Sequence, residues 1–397
     1  MPATAARSSK PLLFLTVFLD VAGFGMILPL LPFYAQRYGA DAFAVGALFA
    51  CYSLAQGVCA PLLGRLSDRL GRRPVLLAAL ALNAAALLLF AAAESFALLF
   101  AARLLSGIAA ANFSIAQAYV ADVTPPAERA RGLGLIGAAF GAGFVLGPAL
   151  GGALALLGQR AVPLGAAALC LLNLALVALR LPESLRPGAR RPLRAAELVP
   201  LLGLARVARP VLGMLLLVFT IVFAFSVMEG TLALYCADRF GFGVVETSAL
   251  LVAIGVTLAL VQGLLVGRLV ARWGERRLVI AGIALMACGL AAIPAAPLVA
   301  ALVAACALLA VGSGVHHPAL LGLISRLSSD SEQGEALGLS RSMQAFARTL
   351  GPLWGGWTFA YLGRAWPFWT AGAVMAAAGC AAAALLLRRS TPLAQPA

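Results

Sequence analysis

Long apolar runs, broken only by short polar or basic stretches, fill most of the 397-residue chain. A bilayer core of ~30 Å takes about 20 residues of helix to cross, and twelve runs reach that length or come close to it. They lie at about 12–34, 43–63, 75–93, 96–119, 132–157, 162–179, 211–235, 247–266, 278–296, 298–322, 337–360 and 366–387. The first run follows Arg7 and Lys10, as in a signal peptide. It contains Asp20 and lacks a small-residue cleavage site, so it reads as a retained first helix. The pattern predicts an all-α membrane protein with twelve transmembrane helices.

The polar stretches carry a repeat. Gly64-Arg65-Leu66-Ser67-Asp68-Arg69-Leu70-Gly71-Arg72-Arg73-Pro74-Val75 returns, degraded, as Gly267-Arg268-Leu269-Val270-Ala271-Arg272-Trp273-Gly274-Glu275-Arg276-Arg277-Leu278. Gly147-Pro148-x-x-Gly151-Gly152 returns as Gly351-Pro352-x-x-Gly355-Gly356, and the two offsets, 203 and 204 residues, agree. The chain is therefore a tandem duplication. Parallel repeats in a membrane imply a two-fold axis along the membrane normal and a path between the halves. The expected units are an N-terminal six-helix bundle (1–180), a cytoplasmic linker (181–208) and a C-terminal six-helix bundle (209–397). The linker holds Pro182, Pro187, Pro192 and Pro200 among Arg186, Arg190, Arg191 and Arg194. Its stretch 193–207 fits an amphipathic helix on the inner leaflet, and equally a flexible basic tether.

Hydrophobic residues make up 62% of the chain and charged residues 11%, against about 25% charged in soluble domains. The net charge of +14 follows topology. With the N-terminus inside, all but seven of the 29 Lys and Arg fall in cytoplasmic segments. Arg37, Arg160, Arg239 and Arg364 fall outside, and Arg103, Arg341 and Arg348 lie within spans. This bias places both termini in the cytoplasm and implies no nucleic-acid partner. The seven Cys lie in or beside spans without a CxxC, so neither a disulfide framework nor a metal site is expected. GxSxG, HExxH and paired-carboxylate patterns are absent, which sets a polytopic enzyme behind a carrier.

In the first basic motif, Gly64 and Gly71 are expected to permit a tight reversal, and Pro74 suits the first turn of the next helix. Asp68, the only acid among Arg65, Arg69, Arg72 and Arg73, can accept bonds from an Arg or a neighbouring helix start. That would latch the halves on the cytoplasmic side; the plainer alternative is a set of anchoring cations. Gly143, Gly147 and Gly151 recur every four residues along one face and allow close helix approach, with Pro148 as a bend. Gly351 and Pro352 repeat the arrangement.

An ionisable group at mid-membrane costs roughly 2.5–3.5 kcal/mol by insertion scales, so each points to a cavity or a partner. Asp20 sits near mid-membrane and fits either a reversible proton site or a fixed ion pair, with Arg103 as its natural counter-charge. Glu229, towards the outer end of the seventh span, fits a second proton or cation site or an interfacial carboxylate. Arg341 and Arg348 share one face of the eleventh span with Gln344 and can attract anionic groups, although Arg341 can also snorkel to the surface. His316 and His317 precede Pro318 in the tenth span. Phe140, Phe144, Phe219, Phe223, Trp354 and Trp357 can form an apolar drug surface or face lipid. The substrate cavity is expected to draw on Phe140, Phe144, Phe223, His316, Gln344 and Arg348.

These motifs resemble those of the major facilitator superfamily, in particular its twelve-helix drug/proton antiporters, the group of the tetracycline exporters. Residues 64–75 match the superfamily's loop signature, and Arg103-x-x-Ser106-Gly107 resembles its fourth-helix motif, with Ser106 where Gln is usual. Gly137-x3-Gly141-x-Gly143-x3-Gly147-Pro148-x2-Gly151-Gly152 resembles the fifth-helix antiporter motif. Ala121-Asp122-Val123-Thr124, Glu128-Arg129-Ala130-Arg131 and Leu181-Pro182-Glu183-Ser184 are similar to the tetracycline exporters. Acidic residues that those exporters carry in the third and ninth helices are missing from 75–93 and 278–296. The resemblance implies export of hydrophobic or amphipathic small molecules by alternating access across a bacterial inner membrane. It implies the proton gradient as energy source, and no cofactor is expected. Each chain contains both halves of a pathway, so a monomer is the expected working unit. By resemblance, Asp20 and Arg103 act in proton transfer. A same-fold carrier of lipids or organic anions is the alternative.

Overall fold

The computed structural model describes residues 3–110, 112–125, 128–185, 209–327 and 333–387, so most of the linker, with its expected helix at 193–207, lies outside the described residues. The helices are α1 (Ala3–Gln36), α2 (Ala42–Leu70), α3 (Arg72–Ala91), α4 (Phe96–Ala109), α5 (Asn112–Val123), α6 (Arg129–Ala155) and α7 (Ala161–Arg180). The second half holds α8 (Arg209–Phe240), α9 (Val244–Leu260), α10 (Val266–Trp273), α11 (Glu275–Ala295), α12 (Val299–Leu327), α13 (Gln333–Tyr361) and α14 (Trp366–Leu387). Among the described residues, eleven stretches are long and apolar enough to cross a membrane. Two of these are compound: α4 with α5, and α9 with α10 through a π-helical turn, Val261–Leu265. The twelfth, α13, spans 29 residues. Arg341, Gln344 and Arg348 dilute its apolar character, as expected of a helix that faces a polar interior. This is an integral, multi-pass membrane protein.

Each half has its own core. Leu30, Leu80, Phe90, Ile115 and Val177 are buried together in the first, and Leu215, Ile221, Ile283, Met286 and Phe368 in the second. In the first half α1 packs on α6 and α7; in the second α8 packs on α13 and α14. The halves meet along two symmetry-related seams, α2 with α13 and α6 with α9.

One end of the bundle carries the duplicated basic motifs and is termed the basic face. The structure corrects one expectation there. Gly64 makes no reversal: α2 runs on to Leu70, and Gly64 lies inside it with its carbonyl accepting a bond from Ser67 Oγ at 2.5 Å. An isolated glycine costs a helix interior only about 1 kcal/mol, which the extended hydrogen-bonded helix absorbs. The turn is made by Gly71 alone, at φ 117°, and by its counterpart Gly274, at φ 76°.

The seams close towards the opposite face. A Cβ added to Gly356 would sit 3.0 Å from Phe43 Cα, and one on Gly152 would sit 2.8 Å from Ser248 Cβ. Towards the basic face, added Cβ atoms at Gly134, Gly137 and Gly141 of α6, and at Gly263 and Gly267 of the other half, meet nothing within 4 Å. The halves are joined far from the basic loops and stand apart beside α6 and α10. One polar bridge crosses between them near the basic face, from Arg341 to Gln117 Oε1 at 2.5 Å.

Candidate functional site

The break between α4 and α5 organises the centre of the first half. Interrupting a membrane helix leaves carbonyls and amides without partners, which is tolerated where the backbone is buried in protein or lines a cavity. Gln56 on α2 donates to the Ala110 carbonyl at 3.3 Å. Asn112, the first residue of α5, is buried and donates from Nδ2 to Asp20 Oδ1 at 2.9 Å. Asp20 Oδ2 takes no protein partner among the described residues. A half-buried carboxylate with one oxygen held and one open is a group that can load and release a proton.

Arg103 does not supply the counter-charge expected for Asp20. Its guanidinium lies over the Tyr52 ring at 4.3 Å and near that of Phe24 at 5.9 Å, and those two rings stack at 5.1 Å. The side chain is 4% exposed and its Nε has no hydrogen-bond partner. A desolvated cation over aromatic faces gains about 2 kcal/mol, so the rings hold the charge where a carboxylate was expected. Across the seam, Arg348 Nη1 approaches Glu229 Oε2 at 3.5 Å. Glu229 is no interfacial carboxylate: its side chain is 13% exposed, packed between α8 and α13. Arg103 of the first half and Arg348 of the second both act on Glu229 electrostatically.

A second cluster sits at the basic face, wholly within the first half. Glu183 caps α3, accepting from the amides of Arg72 at 2.9 Å and Arg73 at 3.1 Å, where a helix N-terminus favours an anion. Arg72 is buried; it pairs with Asp68 at 2.5 Å, with Asp122 at 3.0 Å through Nε, and donates to Ser67 Oγ at 2.7 Å. Ser184 donates to Asp122 at 3.1 Å, and Tyr119 to the Pro182 carbonyl at 2.6 Å. The similar motifs at 64–75, 121–124 and 181–184 thus meet in one knot. In this conformation Asp68 is held by Arg72, one turn along the chain. Arg73 reaches the Ala178 carbonyl at 2.6 Å. Arg69 and Arg65 flank the knot.

The glycine stripe of α6 seats α1. Cβ atoms on Gly143, Gly147 and Gly151 would fall 2.9, 2.6 and 2.8 Å from the carbonyls of Phe18, Ala22 and Met26, and Pro148 Cδ lies on the same contact beside Gly25. Gly351 of α13 stands likewise against the Phe223 carbonyl of α8, at 2.8 Å, and Pro352 against Gly230. The last glycine of each motif, Gly152 or Gly356, turns instead to the other half. A side chain at either would wedge the closed seam apart. Gly356→Val is expected to expose cysteines placed at the opposite face and to shield those at the basic face, read by labelling rates; unchanged rates would show that this seam does not govern opening.

The residues expected to line a substrate cavity fall into two groups. Phe140 stacks on Phe144 at 6.2 Å and meets Phe113 at 5.5 Å, on the α5–α6 side. His316, His317 and Gln344 line a pocket in the second half. Phe223 stacks on Phe219 at 6.1 Å along α8. Asn112, Gln56, Tyr52 and Phe24 were missed from sequence. The signal for Asn112 was the Ala109-Ala110-Ala111-Asn112 step, a polar residue in mid-span; Tyr52 carried none.

Two pseudo-symmetric helical bundles that meet along two seams around a polar centre are the build of a membrane carrier rather than an enzyme. The chain belongs to the Major Facilitator Superfamily, which it matches over residues 13–272 and 246–397. It is 36% identical over 343 residues to the class C tetracycline resistance protein of Escherichia coli, covering 85% of this chain and 86% of that protein. It is 37% identical to the class G protein of Vibrio anguillarum over 374 residues, 89% of this chain and 94% of that one. The crystal structure of the human organic anion transporter MFSD10 superposes with a TM-score of 0.74 at 29% identity, covering 96% of this chain and all of that one.

Proposed function

We propose that the protein is a proton-coupled exporter of hydrophobic or amphipathic small molecules from a bacterial cytoplasm, working by alternating access with the basic face inside. The observation that carries this reading is Asp20, held through one oxygen by Asn112 at the broken helix and open at the other. A membrane-embedded acid so placed is where a carrier exchanges a proton for substrate. The tetracycline resistance relatives support the drug-like substrate class. The separation of the halves beside α6 and α10 supports an inward-facing state. On closure of that face Asp68 would shift from Arg72 to partners on the other half.

Everted vesicles provide the test. With the lumen acidified, vesicles carrying the protein should accumulate members of a panel of dyes, drugs and lysolipids, and a protonophore should abolish the accumulation. Accumulation that survives the protonophore would overturn proton coupling. A second reading, carriage of organic anions, is favoured by the likeness to MFSD10 and by Arg341 and Arg348 in the second half.

A further inference from the structure

Asp20 meets no cation among the described residues, and Asn112 supplies one bond where a carboxylate accepts up to about four. Further partners are to be sought where α1 packs on α7. These helices run antiparallel, with Thr16 against Asn173, Asp20 beside Cys170 and Gly23 against Ala166. Cys170 is already committed, its thiol donating to the Leu80 carbonyl at 3.4 Å.

Thr16 and Asn173 are fully buried, and each has an oxygen without a partner among the described residues. In other helices Thr231, Thr257, Thr349 and Thr370 return the hydroxyl to the carbonyl four residues back. Thr16 does not, so its Oγ1 stays available. Asn173 gives Nδ2 to the Thr16 carbonyl at 3.0 Å and leaves Oδ1 of the same amide bare. Buried polar groups are paired with protein or with ordered water. The packing leaves room for water here. A Cβ added to Gly23, one turn from Asp20, would stand 3.8 Å from the Ala166 carbonyl and 4.0 Å from its Cβ, ordinary contact distances. A methyl group would fit, and a water molecule, ~30 Å³ in the liquid, is of similar size. Where α1 meets α6 the same test at Gly25 finds Pro148 Cδ at 3.0 Å, too close for either.

We infer that a buried water joins α1 to α7 at Asp20, accepting from the Thr16 hydroxyl and donating to Asn173 Oδ1 and the open Asp20 oxygen. Three bonds are what a buried water ordinarily makes. When Asp20 takes a proton, its O–H donates to the water, and the water donates to Asn173 Oδ1 and Thr16 Oγ1. The proton stays on Asp20 and the water is not consumed. A hydroxyl serves both states by rotating, as donor in one and acceptor in the other. Thr16 and Asn173 are then positioning residues of the proton site, a role that rests on the reading of Asp20 as the coupling acid.

Acid-minus-base infrared difference spectra of the purified protein in lipid nanodiscs, in ordinary water and in water labelled with heavy oxygen, provide the test. An O–H band that moves with the label should accompany the Asp20 carboxyl band, and Asp20→Asn should remove both. Thr16→Ser should keep the water band; Thr16→Val and Asn173→Leu should lose it. In proteoliposomes those last two variants should lower uphill accumulation about tenfold, the worth of one bond to a charged group, with counterflow kept. No label-sensitive band tied to Asp20, a band that survives Thr16→Val, or a Thr16→Ser protein as impaired as Thr16→Val would each overturn the inference. Loss of the band with accumulation unchanged would overturn the positioning role. If Asn173→Leu does not fold, the two Thr16 variants decide alone. Full accumulation by Asp20→Asn would sink the coupling reading and leave the water site standing. No water band in a protein whose accumulation needs Asp20 would do the reverse.

Discussion

Asp20→Asn is expected to abolish uphill, gradient-driven transport while leaving substrate binding and downhill exchange measurable. The isosteric amide still meets Asn112, so the helix break keeps a hydrogen bond, but no group remains there that can lose a proton. Counterflow and substrate accumulation, measured on the same proteoliposomes, separate the two effects. Full accumulation by a well-folded Asp20→Asn protein would remove this carboxylate from coupling. Loss of counterflow as well would make Asp20 a packing or substrate group instead.

The second large effect is expected at the basic-face knot. Arg72 is buried and joined to Asp68, Asp122 and Ser67, so Arg72→Ala takes the counter-charge from both acids and one partner from the Ser67 hydroxyl. Breaking a buried charge network costs about 3–5 kcal/mol. Both acids are partly open to solvent, which brings the expected loss to about 2–3 kcal/mol. Gly71→Ala should be comparably harmful, since an added Cβ would lie 2.5 Å from Glu183 Oε2 at a backbone φ of 117°. Gly274→Ala, at φ 76° with open space around it, should cost only backbone strain of about 1 kcal/mol. Thermal unfolding in detergent checks the order, and a Gly274→Ala protein less stable than Gly71→Ala would contradict the knot.

That asymmetry was half legible. The duplicated motif and the missing acid at Ala271 are plain in the chain, but what Asp68, Asp122 and Glu183 do for Arg72 is not. The Asp68 contact is a helical i,i+4 pair, but those of Asp122 and Glu183 join positions 50 and 111 residues apart, which no local period encodes. Apolar run length located the crossing helices well, because the cost of burying charge in lipid is paid locally. It misjudged their ends: α2 and α12 run past the apolar runs into the basic loops, because a helix already formed in the membrane adds further turns at one hydrogen bond per residue, whatever their hydropathy. The pairing of Asp20 with Arg103 failed for a related reason. Two lone opposite charges in neighbouring spans invite pairing, yet aromatic faces and an amide solved the burial of each separately.

Direct coupling between substrate and proton movement tests the account most closely. Proteoliposomes should be loaded with a transported dye and a trapped pH indicator, with no pH gradient imposed at the start. The account predicts that dye leaving down its own gradient draws protons the other way, acidifying the lumen, and that Asp20→Asn passes dye without the pH change. Dye efflux through the unaltered protein with the lumenal pH unmoved would contradict it.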